Sequence, residues 1–200
     1  MKVVVVGASG TIGQSVVRAL SARHEVVRVG HTRGDYQVDI SSRDSIARLY
    51  EAIGDFDALV CAAGQAVFAG LKDLTDADFE LSLSNKLMGQ VNLVRLGLAR
   101  VRDGGSFTLT SGVLAAEPTP GSAAISLVNG GVEAFARAAA LEMPRRTRIN
   151  VVSPPWVAET LQAMGRDPSA GMPAGKVASA YIESVEGRRN GEVLDARRFG

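Results

Sequence analysis

Cysteine is nearly absent from this chain of 200 residues, since Cys61 is its only one. A single thiol excludes an internal disulfide and any metal site built from several cysteines, and it is typical of proteins from reducing compartments. Charge of one sign is missing as well, because 22 lysines and arginines balance 21 aspartates and glutamates. A formal net charge of +1 gives no reason to expect a nucleic acid or an anionic membrane as a partner.

Long hydrophobic runs are also absent. No apolar stretch approaches the ~20 residues that a membrane span needs. The apolar run at the N-terminus, Val3–Val6, leads into glycine, unlike the longer core of a signal peptide. The length suits one domain with a core of its own, and no repeat or linker is visible. We therefore expect one cytoplasmic domain over residues 1–200, with no metal site.

The first thirteen residues, MKVVVVGASGTIG, carry the most information in the chain. Their β-branched run is typical of a strand buried on both faces, and glycines follow it at GxxGxxG spacing. An amphipathic helix comes next, with an apolar face made of Ile12, Val16, Val17 and Leu20. This order predicts a dinucleotide site, in which Gly7 allows a tight turn and Gly10 lets the backbone approach a pyrophosphate. Gly13 lets the helix pack closely, and the helix N-terminus attracts the phosphates.

Strands and helices alternate to the end of the chain, which predicts an α/β fold with a parallel sheet. Further strands are expected at residues 25–29, 36–39, 57–61, 106–110, 148–152 and 192–195. Helices are expected at 43–53 with Ser41 as cap, from 75 or 76 to about 100, at about 121–142, and at 176–186. Gly104 and Gly105 are expected to break the chain before the fifth strand. The segment 166–174 is the most loop-like and lies where a substrate lid is often found.

The order of these elements resembles the short-chain dehydrogenase/reductase family over nearly the whole chain. The resemblance implies a single Rossmann domain, with a doubly wound parallel sheet of seven strands in the order 3-2-1-4-5-6-7. Its glycine turn is that of the family's less common GxxGxxG branch. The resemblance implies cofactor-binding residues in four places: Gly7, Ser9, Gly10, Thr11, Ile12 and Gly13 in the glycine turn; Asp39 and Ile40 beside adenine; Ala62, Ala63 and Gly64 after the fourth strand; and Pro154, Val157 and Thr160 after the sixth.

The same resemblance implies two catalytic residues and the loss of two others. Asn85 matches the asparagine of the catalytic helix, and Ser111 matches the serine that hydrogen-bonds a substrate carbonyl. Family members also carry YxxxK, whose tyrosine gives a proton as hydride arrives and whose lysine lowers the tyrosine pKa. Here Ile125 and Asn129 occupy those two positions. The pair is absent and not displaced, since the tyrosines are at 36, 50 and 181 and no lysine lies between 86 and 176.

The end of the second strand indicates which nicotinamide cofactor binds. Enzymes that use NAD commonly place a carboxylate there, ~20 residues after the glycines. This chain has Gly30 instead, followed by His31, Thr32 and Arg33. No carboxylate is present to repel a 2′-phosphate, and Arg33 and Thr32 can pair with one. We expect NADP(H) as cofactor, with NAD(H) as second choice, and a ribose contact from Asn129.

Three functions remain open. The first is an NADP(H)-dependent oxidoreductase for a small carbonyl or alcohol, in which Ser111 polarises the oxygen, Asn85 holds a water or a helix carbonyl, and water or a substrate group replaces the tyrosine. The second is a non-catalytic NADP(H)-binding sensor or partner protein, and the third is a non-redox enzyme on the same fold. We favour the first because the resemblance extends to the substrate pocket.

The family also pairs the helices that follow residues 76 and 121 across a two-fold axis, so we expect a homodimer or homotetramer.

Overall fold

The computed structural model describes residues 1–200 and contains one parallel sheet in the order β3-β2-β1-β4-β5-β6-β7. The order reverses between β1 and β4, which opens a crevice at the carboxyl ends of the strands. This is the doubly wound sheet that the sequence predicts, and the fold prediction is confirmed. The strands are β1 (Lys2–Val6), β2 (Glu25–Gly30), β3 (Tyr36–Gln37), β4 (Phe56–Cys61), β5 (Val101–Thr110), β6 (Arg148–Ser153) and β7 (Val193–Asp195).

Helices cover both faces of this sheet. They are α1 (Thr11–Leu20), α2 (Arg43–Ile53), α3 (Asp76–Ser82), α4 (Met88–Gly97), α5 (Ala123–Ala139), α6 (Ala158–Ala163) and α7 (Ala174–Glu186), with a π-helical segment Leu83–Leu87 between α3 and α4. In β1, Val3 and Val5 pack with α1 and α7, whereas Val4 and Val6 pack with α2, α4 and α5. The strand is β-branched throughout because both of its faces are core. None of the helices has the length and hydropathy that a bilayer crossing requires.

The cap of α2 differs from the prediction by one residue. The helix begins at Arg43 as expected, but Ser42 caps it, with its hydroxyl accepting the amide of Ser45 at 3.2 Å. The predicted cap, Ser41, instead donates its amide and its hydroxyl to Oδ1 of Asp39, at 2.9 and 2.6 Å. The prediction of Ser41 is therefore wrong, because the turn at Asp39 engages that side chain first.

The long helix and the fifth strand also differ from expectation. The helix starts at Asp76 behind a capping box of Thr75 and Asp78, then changes to a π-helical turn and ends at Gly97 instead of near residue 100. Strand β5 begins at Val101 and runs through Gly104 and Gly105. Its register with β4 shifts there, and Gly104 takes a φ of +74°, so the two glycines form a bulge inside the strand.

Candidate active site

The glycine turn between β1 and α1 forms a tight cradle. Gly7 has a φ of +85°, and a Cβ there would lie 2.7 Å from the carbonyl of Ala62. A Cβ on Gly13 would lie only 2.0 Å from the carbonyl oxygen of Gly7, so α1 rests directly on the turn. Gly10 precedes α1 without a side-chain cap, and Thr11 is the exposed first residue of the helix. The first N–H groups of α1 thus face a space that suits an anion.

A cleft next to this turn runs across the ends of β1, β2 and β4. It is lined by Val6, Gly7, Ser9, Gly10, Gly30, His31, Val38, Ile40, Ala62, Ala63, Gly64, Gln65 and Asn85. Predicted residues from four separate stretches therefore meet in one cleft: the glycine turn, Ile40, the loop after β4, and Asn85. Asp39 does not line it, since its carboxylate is engaged by Ser41, and the hydrogen bond to Ser41 holds the pKa of Asp39 below its usual value. Oδ1 of Asn85 accepts the amide of Gln65 at 2.8 Å, which ties the π-helical segment to the loop after β4.

The loop after β2 presents one guanidinium without an ion-pair partner. Arg33 lies on an open groove together with Ser9, Gln14 and Arg28. Arg28 is engaged, because it pairs with the carboxylate of Asp35 at 2.5 Å and holds the pKa of Asp35 below its usual value. The Asp35 carboxylate is thus neutralised, and Arg33 is available to bind an anion. Thr32, by contrast, is exposed and lines neither the groove nor the cleft.

A cavity of about 260 Å³ lies at the carboxyl ends of β4, β5 and β6. It gathers ten of the residues that the sequence singles out: Ile12, Ala62, Ala63, Gly64, Ser111, Ile125, Asn129, Pro154, Val157 and Thr160. Seven further residues complete the lining: Lys86, Thr110, Gly112, Val113, Leu114, Pro155 and Trp156. The cavity adjoins the cleft at Ala62, Ala63 and Gly64, so one extended ligand can reach from one into the other. No group of three His, Cys, Asp or Glu side chains is placed to hold a metal ion.

Ser111 is 3 % exposed and follows β5 directly. Its amide donates to the carbonyl of Val152 at 2.9 Å, which fixes its backbone to the neighbouring strand. Its hydroxyl donates to Oε1 of Glu133 on α5 at 2.9 Å. The sequence reasoning missed Glu133, although its spacing from Ile125 and Asn129 places all three residues on one face of α5. The serine proton is therefore committed to a carboxylate, which leaves lone pairs of the serine oxygen to accept.

Asn129 is 1 % exposed, and its amide oxygen has no hydrogen-bond partner. Its Nδ2 reaches only the carbonyl of Gly112, at 3.5 Å. A buried polar atom without a partner is rare and costs ~1–3 kcal/mol. Because Asn129 lines the cavity, a hydroxyl group of a ligand can satisfy this oxygen. Ile125, one helical turn earlier, presents only hydrocarbon to the same cavity.

Lys86 is the second residue that the sequence reasoning missed. It lies in the π-helical segment, where its aliphatic stem packs over Gly64: a Cβ on Gly64 would lie 2.9 Å from Cγ of Lys86. Its Nζ donates to the carbonyl oxygen of Ser111 at 3.3 Å. Burial lowers the pKa of Lys86 to about 8, against a smaller opposing effect of the Cys61 thiol. The wider π-helical turn, which is frequent at functional sites, directs Asn85 toward the loop and Lys86 into the cavity.

Trp156, which lines the cavity, is in contact with an aromatic ring and a cation. The rings of Phe68 and Trp156 meet edge to face, with centroids 6.1 Å apart, and Arg166 lies 5.3 Å above Trp156. The segment 166–174, predicted as a loop, contains only one short helical turn, Pro168–Ala170. It is joined to the cavity wall by a bridge between Val157 and Met172, next to the unpredicted helix α6.

Comparisons with known proteins add to this picture. A family model described as enoyl-(acyl carrier protein) reductase matches residues 1–185. The structure of the protein lin1944 from Listeria innocua is 43 % identical, with 98 % of each chain covered and a TM-score of 0.94. A small-chain dehydrogenase in complex with NADPH is 26 % identical, covering 98 % of this chain and 95 % of the other, with a TM-score of 0.86. An uncharacterised oxidoreductase of Methylorubrum extorquens is 27 % identical over 178 residues, 77 % of this chain and 72 % of that protein.

Proposed function

The chain belongs to the short-chain dehydrogenase/reductase family, and we propose that it is an NADP(H)-dependent oxidoreductase acting on a small carbonyl or alcohol substrate. The observation that carries the proposal is the buried amide oxygen of Asn129, which has no partner and lines the cavity that adjoins the glycine turn. A ribose hydroxyl at this point would satisfy it. The NADPH complex of a relative at 26 % identity supports the same cofactor here.

Three parts of the cofactor have a matching group in the protein. The glycine turn and the N-terminus of α1 suit the pyrophosphate, and Arg33 suits the 2′-phosphate. Asn129 would hold the nicotinamide ribose, and bound NADPH would supply a hydride to the substrate. The ion pair between Arg28 and Asp35 favours NADP(H) over NAD(H), since it neutralises the carboxylate that would otherwise repel the extra phosphate.

The cavity lining combines apolar side chains, among them Val113, Leu114, Ile125 and Trp156, with a few polar ones, among them Ser111, Lys86 and Thr160. A largely apolar lining with a few polar groups favours a small carbonyl compound with an apolar substituent. Because Glu133 holds the Ser111 proton, the serine oxygen would accept a hydrogen bond from the hydroxyl of an alcohol, and a carbonyl oxygen needs a different donor.

We also propose a homodimer or homotetramer built on the helices that follow residues 76 and 121. Several large apolar side chains on them stay exposed: Leu81 (42 %), Met88 (40 %) and Leu127 (52 %). By contrast, Val91 and Val132 are buried within the protomer, so part of the predicted interface face is core. Light scattering at micromolar concentration checks the assembly, and a monomeric mass contradicts it.

The test of the function is NADPH consumption, followed by absorbance, over a panel of small aliphatic and aromatic aldehydes and ketones. Turnover of at least one compound is expected. The absence of the Tyr–Lys pair, with Ile125 and Asn129 in its place, favours a second candidate, a non-catalytic NADP(H)-binding protein. Tight binding without consumption across the panel would select that candidate and reject the oxidoreductase.

A further inference from the structure

The cavity contains one ionisable side chain. Among its 17 lining residues, Lys86 alone carries a group that titrates, and the others are apolar, hydroxylic or amide side chains and glycines. A carbonyl that is reduced to an alcohol needs a proton at its oxygen as well as a hydride at its carbon. The residue that usually supplies this proton is replaced by Ile125. Another group in this chain must therefore supply the proton.

Two hydroxyl groups near the cavity are poorly suited. The Ser111 hydroxyl already donates to Glu133 at 2.9 Å. The Tyr181 hydroxyl lies behind the cavity wall, 2.7 Å from Oγ1 of Thr110, and is itself fully buried. Burial raises the pKa of Tyr181 well above that of an ordinary phenol, so it holds its proton more firmly. Neither side chain presents an available acidic proton to a substrate in the cavity.

Lys86 does present an available acidic proton. Its stem is fixed against Gly64, and its Nζ uses one of three protons to hold the carbonyl of Ser111 at 3.3 Å. The remaining N–H groups belong to a side chain that lines the cavity beside Ser111 and Asn129. The ammonium therefore stands next to Ser111, at the polar part of the cavity where it can reach a substrate oxygen.

We infer that Nζ of Lys86 donates the proton that the substrate oxygen gains during carbonyl reduction, in place of the missing tyrosine. The inference rests on the proposed function. In the step, the carbonyl carbon gains a hydride from the reduced nicotinamide, which is oxidised to the nicotinamide cation. The electron pair of the C=O π bond takes the proton from Nζ and an alcohol forms. Lys86 is left as a neutral amine, which regains a proton from water.

The charges around Lys86 support this role. From β4 the Cys61 thiol faces it, and burial raises the pKa of that thiol to about 12, so Cys61 stays neutral. From α5 Glu133 reaches Ser111 through the hydroxyl, while Lys86 reaches it through the carbonyl. No charged side chain of the loop after β4 or of the segment after β6 lines the cavity, and Arg166 lies over the ring of Trp156 without lining it. With its pKa lowered to about 8, Lys86 is mostly protonated at pH 7 and is a better acid than an ordinary lysine.

The first test measures the titration of Lys86 without any cofactor or substrate. The chain has only four lysines, at positions 2, 72, 86 and 176, so ¹³C-lysine labelling gives few Cε resonances. The resonance that disappears in Lys86→Met belongs to Lys86. It is expected to titrate near pH 8. A midpoint near the ~10.4 of an ordinary lysine contradicts the inference.

The second test compares rates and NADPH affinities. Lys86→Met is expected to lower kcat for carbonyl reduction by about 10²–10⁴-fold with little change in the NADPH Kd. In the native protein kcat should fall as pH rises through about 8, and Lys86→Arg, which keeps the charge but does not titrate in this range, should lose this pH limb. Lys72→Met, a change of an exposed lysine, and Tyr181→Phe are expected to keep the native rate and the native pH profile.

The outcomes separate the two claims. If the native protein reduces carbonyls and Lys86→Met does so equally well, the inference is wrong while the proposed function stands. If Lys86→Met weakens NADPH binding and leaves kcat intact, Lys86 binds the cofactor and is not the donor. If the native protein binds NADPH but consumes none, the proposed function fails, and the donor role fails with it. If Lys86→Met does not fold, the pH profiles of the native protein and of Lys86→Arg test the inference. Loss of the fall in kcat near pH 8 in Lys86→Arg supports it, and an unchanged profile contradicts it.

Discussion

Replacing Lys86 by methionine is expected to stabilise the protein at neutral pH while it removes activity. Methionine fills much the same space without a charge that must lose its water. Burial lowers the pKa of Lys86 from 10.5 to about 8, a difference of about 2.5 units. At ~1.36 kcal/mol per pKa unit, this corresponds to about 3 kcal/mol of unfolding free energy.

The sign of the pH dependence follows from proton counting. Between pH 8 and 10.5 the unfolded chain keeps the Lys86 proton that the folded protein has released. The unfolded state thus binds more protons, so this residue makes the native protein more stable as pH rises through that window. Below pH 8 both states are protonated, and the full destabilisation by the buried charge is present.

Urea unfolding at constant ionic strength from pH 7 to 10.5 measures this effect. The stability advantage of Lys86→Met over the native protein should be constant below pH 8 and shrink by up to about 3 kcal/mol toward pH 10.5. Lys72→Met, at an exposed position, serves as the matched control and should show no such trend. An advantage that stays constant over the whole range, or grows with pH, would refute the reasoning.

Three other predictions concern the cofactor and the substrate. Arg33→Ala should weaken NADPH binding by about 1.5–3 kcal/mol and NADH binding much less, as measured by calorimetry, because only NADPH carries the 2′-phosphate. Ser111→Ala should lower kcat for alcohol oxidation by about 10²-fold in steady-state assays, because it removes the oxygen that accepts from the alcohol hydroxyl, and leave the NADPH Kd nearly unchanged. The double change Ile125→Tyr with Asn129→Lys should raise the reduction rate, since it supplies a second proton donor and the charge that tunes it. A double variant that folds but reduces carbonyls no faster would count against the assigned positions.

The fold could be predicted because its signals are local. The buried valine run of β1 and the glycines after it need no distant contact to be recognised, and their order with later strands fixes the topology. Gly7 and Gly13 illustrate this, since each stands where a Cβ would meet backbone. The positions of Ser111 and Asn129 in the cavity followed from the same order of elements.

The site residues that were missed depend on geometry that the sequence does not display. From the sequence alone, Lys86 and Glu133 are indistinguishable from charged residues on the solvent-exposed faces of helices. The π-helical turn changes the direction in which the Lys86 side chain leaves the helix. Glu133 reaches the site only because α5 lies against the end of β5. The cap at Ser42 was missed by one position for a related reason: a competing turn at Asp39 engages Ser41. Local pattern rules do not resolve such competition between neighbouring polar groups.

The central claim is that the cleft and the cavity together hold NADP(H). Parallel calorimetric titrations of the native protein with NADPH and NADH test it most directly. We expect saturable binding of both, with NADPH the tighter ligand because Arg33 would pair with its 2′-phosphate. Absence of binding, or a clear preference for NADH, would contradict the account.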